Sequence, residues 1–134
     1  MENIQECIRS FYCLYDSLIR AEIEILLLDY FERGQAKYEK LFSLIERVEN
    51  NPKKRLIMQK LLKIPRGQTI TYANFAKFIG LEKQTRNIAT LIGKNPLPVI
   101  IPCHRVVRKD CTGNYIFGEK AKEFLINFEK PCIE

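Results

Sequence analysis

A thiol, an imidazole and a guanidinium stand side by side at Cys103, His104 and Arg105, and Pro102 precedes them. His104 is the only histidine of the chain. The nucleophilic form of cysteine is the thiolate, which a nearby base or cation favours. The chemistry on offer is therefore attack by sulfur on an electrophilic carbon. Pro98 and Pro102 restrict the backbone and bias the residues before them toward extended geometry. Val99-Ile100-Ile101 reads as a short, buried extended run. The pair is thus expected at the end of a stiff apolar segment. These two residues alone do not separate a nucleophile from a buried thiol beside an unrelated imidazole. A cysteine hydrolase or glutaminase fits poorly, because those enzymes gather Cys and His from distant positions. No glycine-rich oxyanion loop accompanies the pair.

The elements around this stretch follow from turn signals and apolar spacing. Residues 1–50 hold few turn residues; Arg9 to Asp16 is aromatic-rich and Ile19 to Leu28 partly alternates, which predicts two short strands, a hairpin around Asp16-Ser17. A helix over Ile23–Phe31 is the alternative. Glu32 to Gln35 reads as a turn. A helical stripe then runs from Ala36 to Val48 through Tyr38, Leu41, Phe42, Leu44, Ile45 and Val48. Asn50-Asn51-Pro52 interrupts it. A helix over Lys53–Lys63 should bury Leu56, Ile57, Leu61 and Leu62. Thr71 suits the N-cap of a helix over Tyr72–Ile79, which Gly80 ends. A further helix from Glu82 or Lys83 to Ile92 completes a helix-turn-helix. Its residues Ile88, Leu91 and Ile92 point inward, and Thr85, Arg86 and Ala89 share the outward face. Small Ala89 would allow close approach to a groove. Arg105 to Val107 is a strand or turn, Lys109 to Asn114 a loop, and Glu119 to Glu129 a helix with Ala121, Phe124, Leu125 and Phe128 inward, stopped by Pro131. The predicted fold is α+β. A small N-terminal strand/helix segment (1–52) precedes a mostly helical domain (53–134) with a winged-helix-like helix-turn-helix and a C-terminal helix.

Charge divides the chain at the same boundary. Residues 1–50 carry net −4 and residues 51–134 net +10. A basic half suggests an anionic partner, nucleic acid first. The equally simple reading is a solvated basic face. The five cysteines (Cys7, Cys13, Cys103, Cys111 and Cys132) include no Cys-x-x-Cys pair. With one histidine, a tetrahedral site would need scattered thiolates, so no metal is expected. Reduced thiols, no bilayer-spanning run and no basic signal-peptide start point to a cytoplasmic protein, nuclear in a eukaryote.

Several motifs now stand in order: Ile64-Pro65-Arg66-Gly67-Gln68-Thr69-Ile70-Thr71-Tyr72, Arg86, Asn95-Pro96, Pro102-Cys103-His104-Arg105-Val106-Val107, Asn114-Tyr115 and Lys122. Together they resemble the O6-alkylguanine-DNA alkyltransferases, the methylated-DNA–protein-cysteine methyltransferases, over about residues 53–130. The resemblance implies a minor-groove binder of duplex DNA that rotates an alkylated guanine out of the stack. It implies transfer of the alkyl group to Cys103. It implies that His104 takes the thiol proton through a water, that Glu129 orients the imidazole, and that Asn95 braces the network. Tyr72 would crowd the target phosphate, and Arg86, with Thr85 and Ala89 beside it, would fill the vacated stack. Tyr115, Val106, Ile116 and Phe117 would form the guanine pocket, and Lys122 would stabilise the leaving base. No cofactor is implied, and a monomer is expected.

Four departures qualify the match, the first being that Asn87, Thr90 and Leu91 on the recognition helix are larger than the small residues usual there. Phe117-Gly118 stands where the family often has two glycines, so Phe117 is expected to narrow the pocket rim and disfavour bulky adducts relative to methyl. The loop between Val107 and Gly113 is one residue short. The N-terminal part, a small sheet-and-helix domain in the family, is short here. A lesion-flagging module without transfer chemistry is the alternative, against which the presence of Cys103 argues.

Overall fold

The computed structural model describes residues 4–33 and 38–130. Side chains that bond backbone N–H groups start three of its helices. Asp16 accepts from Ile19 N at 3.0 Å to begin α2 (Ser17–Leu28). Asn51 accepts from Lys53 N and Lys54 N, with Pro52 as first residue of α4 (Pro52–Leu61). Thr71 accepts from Asn74 N at 3.2 Å to begin α5 (Tyr72–Phe78). Each satisfies donors that a helix start leaves free, and proline's missing N–H costs nothing at the first position. Gly80 adopts φ +78°, which lets the chain reverse between α5 and α6 (Thr85–Ile92). A 3-10 turn, Glu82–Gln84, leads into α6.

The N-terminal hairpin is not formed. In its place stand α1 (Ile4–Tyr12) and α2. Ile4, Ile8 and Tyr12 recur every four residues and are all buried, a helical stripe. The alternation in α2 misleads: Ile23 is 1% exposed but Ile25 is 55% exposed, so only one lies on the core face. Asp16, read as a hairpin turn, is the cap of α2. That helix continues into a π-helical turn, Asp29–Arg33, which contains the first half of the expected turn; Gly34 and Gln35 lie outside the described residues. Helix α3 (Tyr38–Val48) matches the predicted stripe, although Phe42 is exposed; Ala36 and Lys37 lie outside the described residues. Likewise Met58 is buried in α4 and Leu56 is not.

Among the described residues the only sheet has two strands. β1 (Ile70–Thr71) pairs in parallel with β2 (Val106–Val107), Ile70 opposite Val106. The architecture is therefore mostly helical, with seven α-helices among the described residues. The short ladder ties the start of α5 to the residues just after Cys103. Helix α7 (Glu119–Glu129) has the predicted bounds. Its inward face differs: Ala121, Lys122, Leu125 and Glu129 are buried, Phe124 is half-buried and Phe128 is exposed. Pro131, the expected stop, lies outside the described residues, as does Cys132. No helix among the described residues is long and apolar enough to cross a membrane.

One apolar core joins the N-terminal helices to the rest. Ile8, Ile23, Leu41, Leu44 and Ile45 share it with Ile57, Leu61, Phe75, Ile88 and Leu125. Two tyrosines of the N-terminal part also clamp the segment before Cys103. Tyr12 donates to Pro98 O at 2.6 Å and Tyr15 to Pro96 O at 2.7 Å. That segment is a buried turn, not an extended run. Ile101 N bonds Leu97 O at 2.8 Å, and Val99 takes φ +76°. A β-branched residue in the left-handed region is strained by about 1–3 kcal/mol and persists only where surroundings hold it. Here the tyrosines and Asn95 hold it.

Candidate active site

Residues 103–105 form a 3-10 turn, closed by Arg105 N on Pro102 O at 3.0 Å. With three residues per turn, consecutive side chains leave in directions about 120° apart. Cys103 lines one cavity, and His104 and Arg105 both reach Glu129 on α7. Neighbours in sequence are thus assigned to different tasks.

Glu129 is the hub of a buried polar cluster. Its Oε2 accepts from the Tyr30 hydroxyl at 2.5 Å and from Arg105 Nη2 at 3.1 Å, and it lies 2.5 Å from His104 Nε2. Its Oε1 accepts from Arg105 Nε at 2.8 Å. Arg105 Nη1 donates onward to Ile64 O at 2.7 Å. Burial alone would push the carboxyl upward, but the hydrogen bonds from His104 and Arg105 outweigh it and hold Glu129 down at about 2. An ionised carboxylate only accepts, so Nε2 carries the imidazole proton. The other nitrogen, Nδ1, is then a lone-pair acceptor; it is buried and has no partner among the described residues. Burial lowers the pKa of His104 despite the opposing pull of Glu129, and Arg105 and Lys122 lower it further. The imidazole is therefore neutral, and the 2.5 Å contact is an N–H donated to a carboxylate.

Cys103 is 6% exposed. Burial pushes its thiol up to about 11, against the Asn95 side-chain hydrogen bond and the Lys122 charge that favour the thiolate. The resting pair is a thiol and a neutral imidazole. Asn95 also donates to Ile101 O at 3.0 Å and accepts from Leu97 N at 2.9 Å. One amide thus fixes the turn and touches the sulfur.

The cavity over Cys103 is lined by Tyr72, Asn95, Pro98, Tyr115 and Ile116 among others, and measures about 30 Å³. That is room for roughly two waters. Lys122 is almost fully buried. Its Nζ donates to Asn114 O at 3.3 Å and lies 5.6 Å from the Tyr72 ring centre. Burial lowers its pKa. The Tyr115 hydroxyl is buried without a partner among the described residues, and its ring meets His104 edge-on at 6.3 Å. The end of α6, at Ile92 and Gly93, and the start of α5, at Tyr72, bound the cavity. On α6, Arg86 is exposed, Thr85 and Ala89 are half-buried, and Ile88 and Ile92 are buried beneath; Leu91 is half-buried.

Cys103, Asn95, Tyr72, Tyr115 and Ile116 thus converge on one cavity, and His104 with Glu129 stands behind it. Three of the predicted pocket residues, Val106, Phe117 and Lys122, do not line it. Val106 is buried in β2. Phe117 packs edge-on against Tyr115 at 5.6 Å and against Phe11 at 5.9 Å, so it buttresses the wall from behind. Arg105 was visible beside Cys103, but as a neighbour of the thiol and not as a partner of Glu129. Tyr30 carried no signal, because its bond spans 99 positions.

The family model described as "6-O-methylguanine DNA methyltransferase, DNA binding domain" matches residues 52–131, more than half of the chain. The chain belongs to this family. It is 40% identical over 101 residues, 75% of its length, to the "Probable methylated-DNA--protein-cysteine methyltransferase" of Acanthamoeba polyphaga mimivirus. It is 38% identical over 108 residues, 80% of its length, to that of Methanocaldococcus jannaschii. The aligned parts are 66% and 62% of those two alkyltransferases, so the chain spans less than two thirds of their length. Among solved structures, the O6-methylguanine-DNA methyltransferase of Pyrococcus kodakaraensis strain KOD1 aligns with TM-score 0.66 at 28% identity, covering 79% of this chain and 61% of that one. Mycobacterium tuberculosis OGT in complex with DNA aligns with TM-score 0.59 at 31% identity, covering 61% and 52%.

Proposed function

We propose that this chain repairs duplex DNA directly. It moves an alkyl group, mainly methyl, from O6 of guanine to Cys103 Sγ, once per molecule. The observation that carries this reading is a buried thiol on a cavity, beside an imidazole whose Nε2–H is anchored on Glu129 and whose Nδ1 is left to accept a proton. His104 takes the thiol proton through a water. The sulfur attacks the alkyl carbon in line with O6, the C–O6 bond breaks, and the electron pair leaves with guanine. A proton reaches the departing base from the side of Lys122 and Tyr115, which lowers the barrier. The product is a thioether, which lacks a carbonyl for water to attack, so turnover stops. Carbon, sulfur and protons balance without a cofactor.

The remaining roles are those that the resemblance to the family implies. Asn95 braces the thiol and the turn before it. Tyr72 at the start of α5 crowds the target nucleotide, and α6 enters the minor groove with Arg86 filling the gap that the flipped base leaves, flanked by Thr85 and Ala89. Unstacking a base costs a few kcal/mol, least for a damaged pair, and a long flat cation offsets part of it. Tyr115 and Ile116 are the pocket wall, Phe117 supports it, and the backbone near Val106 and Ile116 reads the guanine edge. Residues 53–134 form the DNA-binding and transfer unit and residues 1–52 its N-terminal companion, acting as a monomer.

The test is intact-protein and peptide mass measurement after incubation with an O6-methylguanine duplex. One methylene gained on the peptide holding Cys103, saturating at one per chain and absent in Cys103→Ala, is the expected result. Binding with unchanged mass would overturn transfer and leave the lesion-flagging reading. Methyl removal continuing past one equivalent would overturn the single turnover.

A further inference from the structure

We infer that Tyr30, from the N-terminal part of the chain, is a positioning residue of the transfer site that acts through Glu129 on His104. The inference rests on the alkyl-transfer reading for its consequence but not for its geometry. Tyr30 lies in the π-helical turn after α2 and is 6% exposed. Its hydroxyl donates to the same Glu129 oxygen that receives His104 Nε2–H, and both distances are 2.5 Å. A third donor, Arg105 Nη2, reaches that oxygen at 3.1 Å. A carboxylate oxygen offers about two lone-pair sites, so Tyr30 and the imidazole share its basicity.

The ring is held for this task. The Arg66 guanidinium lies 5.0 Å from its centre, Phe31 meets it edge-on at 5.0 Å and Phe128 packs at 5.9 Å. The His104 ring meets it edge-on at 6.1 Å. Phenylalanine would fill the same space, so the hydroxyl has one evident use, the bond to Glu129. Donation by that hydroxyl draws charge from Oε2. The carboxylate then stabilises an imidazolium less, and His104 stays neutral with Nδ1 available. The other charged and titratable groups that face this pair are Arg105 and Cys103 on the 3-10 turn, Lys122 on α7, Arg66 before β1, and Tyr115. All of them remain in Tyr30→Phe.

The single histidine makes the test clean, because every imidazole signal of the 15N-labelled chain comes from His104. In Tyr30→Phe the Nε2–H bond to Glu129 should strengthen and its proton resonance move downfield. The His104 pKa should rise by roughly 0.5–1 unit, about half of what one hydrogen bond to a charged group is worth, because the loss reaches the imidazole only through Glu129. The acid limb of the methyl-transfer rate should move up by the same amount. Phe31→Leu, which disturbs the same ring cluster but no hydrogen bond, should leave all three unchanged. Superimposable imidazole spectra and pH profiles in Tyr30→Phe would overturn the inference. So would an equal shift in Phe31→Leu, which would assign the effect to packing. The spectra do not depend on alkyl transfer, so a wild-type chain that shows no transfer refutes the function while the imidazole shift still decides Tyr30.

Discussion

Replacing Glu129 by glutamine keeps the shape of the hub and removes its charge. Arg105 then faces a neutral amide while buried, with only Ile64 O left as a strong acceptor. Breaking a buried pair by neutralising one partner costs about 3–5 kcal/mol, because the other charge stays desolvated and unpaired. A second estimate comes from titration. Glu129 is held at about 2 against an ordinary 4.5, a depression of about 2.5 units at ~1.4 kcal/mol each, or about 3.5 kcal/mol. The two routes agree. The sign follows from the direction of the shift. A carboxyl depressed in the folded state contributes its full stability above the unfolded value, 4.5. It loses that contribution as pH falls toward about 2. The Gln variant has no such group. Urea unfolding of both proteins should therefore show the wild type more stable by about 3–5 kcal/mol near pH 7. The gap should narrow by about 2 kcal/mol on going to about pH 3, at ~1.4 kcal/mol per unit below 4.5. Equal stabilities at neutral pH, or a gap that does not change with pH, would refute the reasoning that Glu129 is an ionised, multiply bonded hub.

Two other outcomes follow from the same site. Peptide-resolved alkylation with iodoacetamide at neutral pH should label exposed Cys7, Cys13 and Cys111 before Cys103, and labelling at Cys103 should rise about tenfold per pH unit toward its value of about 11; preferential labelling of Cys103 near pH 7 would mean a preformed thiolate. Arg86→Ala should slow methyl transfer from duplex DNA by about 10–100-fold, the size of a few kcal/mol of uncompensated unstacking, and leave transfer from free O6-methylguanine base unchanged; equal losses on both substrates would remove Arg86 from base flipping.

The part of the fold that local rules govern was legible. Thr71 and Gly80 do what their chemistry suggests, because caps and left-handed turns depend on a few adjacent residues; Asn51, read only as a break, also caps α4. The N-terminal hairpin failed for a reason of the same kind. Asp16 suits both a turn and a cap, and Glu22-Ile23-Glu24-Ile25 satisfies a two-residue alternation inside a four-residue stripe. Only packing against the core separates the two, and it buries Ile23 and leaves Ile25 in solvent. Val99 was read as extended because it opens a short apolar run set between two prolines. Its actual conformation is imposed from 80 or more positions away, by Tyr12 on Pro98 O and Tyr15 on Pro96 O.

The site itself shows why motif and periodicity give different answers for the same residues. By spacing alone, Lys122 and Glu129 belong on the wet face of α7 and Phe128 on the dry one. The structure buries the first two and exposes the third. The exchange is consistent once the charges are counted together. Glu129 neutralises Arg105 and anchors His104, so the cost of burying each charge is offset only when all three are present. Phe128, displaced toward solvent, still covers the cluster: its ring lies against Tyr30 at 5.9 Å and under Arg66 at 5.3 Å. The resemblance to the alkyltransferases named Glu129 and Lys122, because a functional motif records positions that chemistry requires. It gave no role to any residue before Tyr72. Yet Tyr30 closes the hub and Tyr12 and Tyr15 hold the turn that carries Asn95. A half whose buried site depends on contacts from residues 12, 15 and 30 is not self-sufficient in physical terms, whatever the span of its motif.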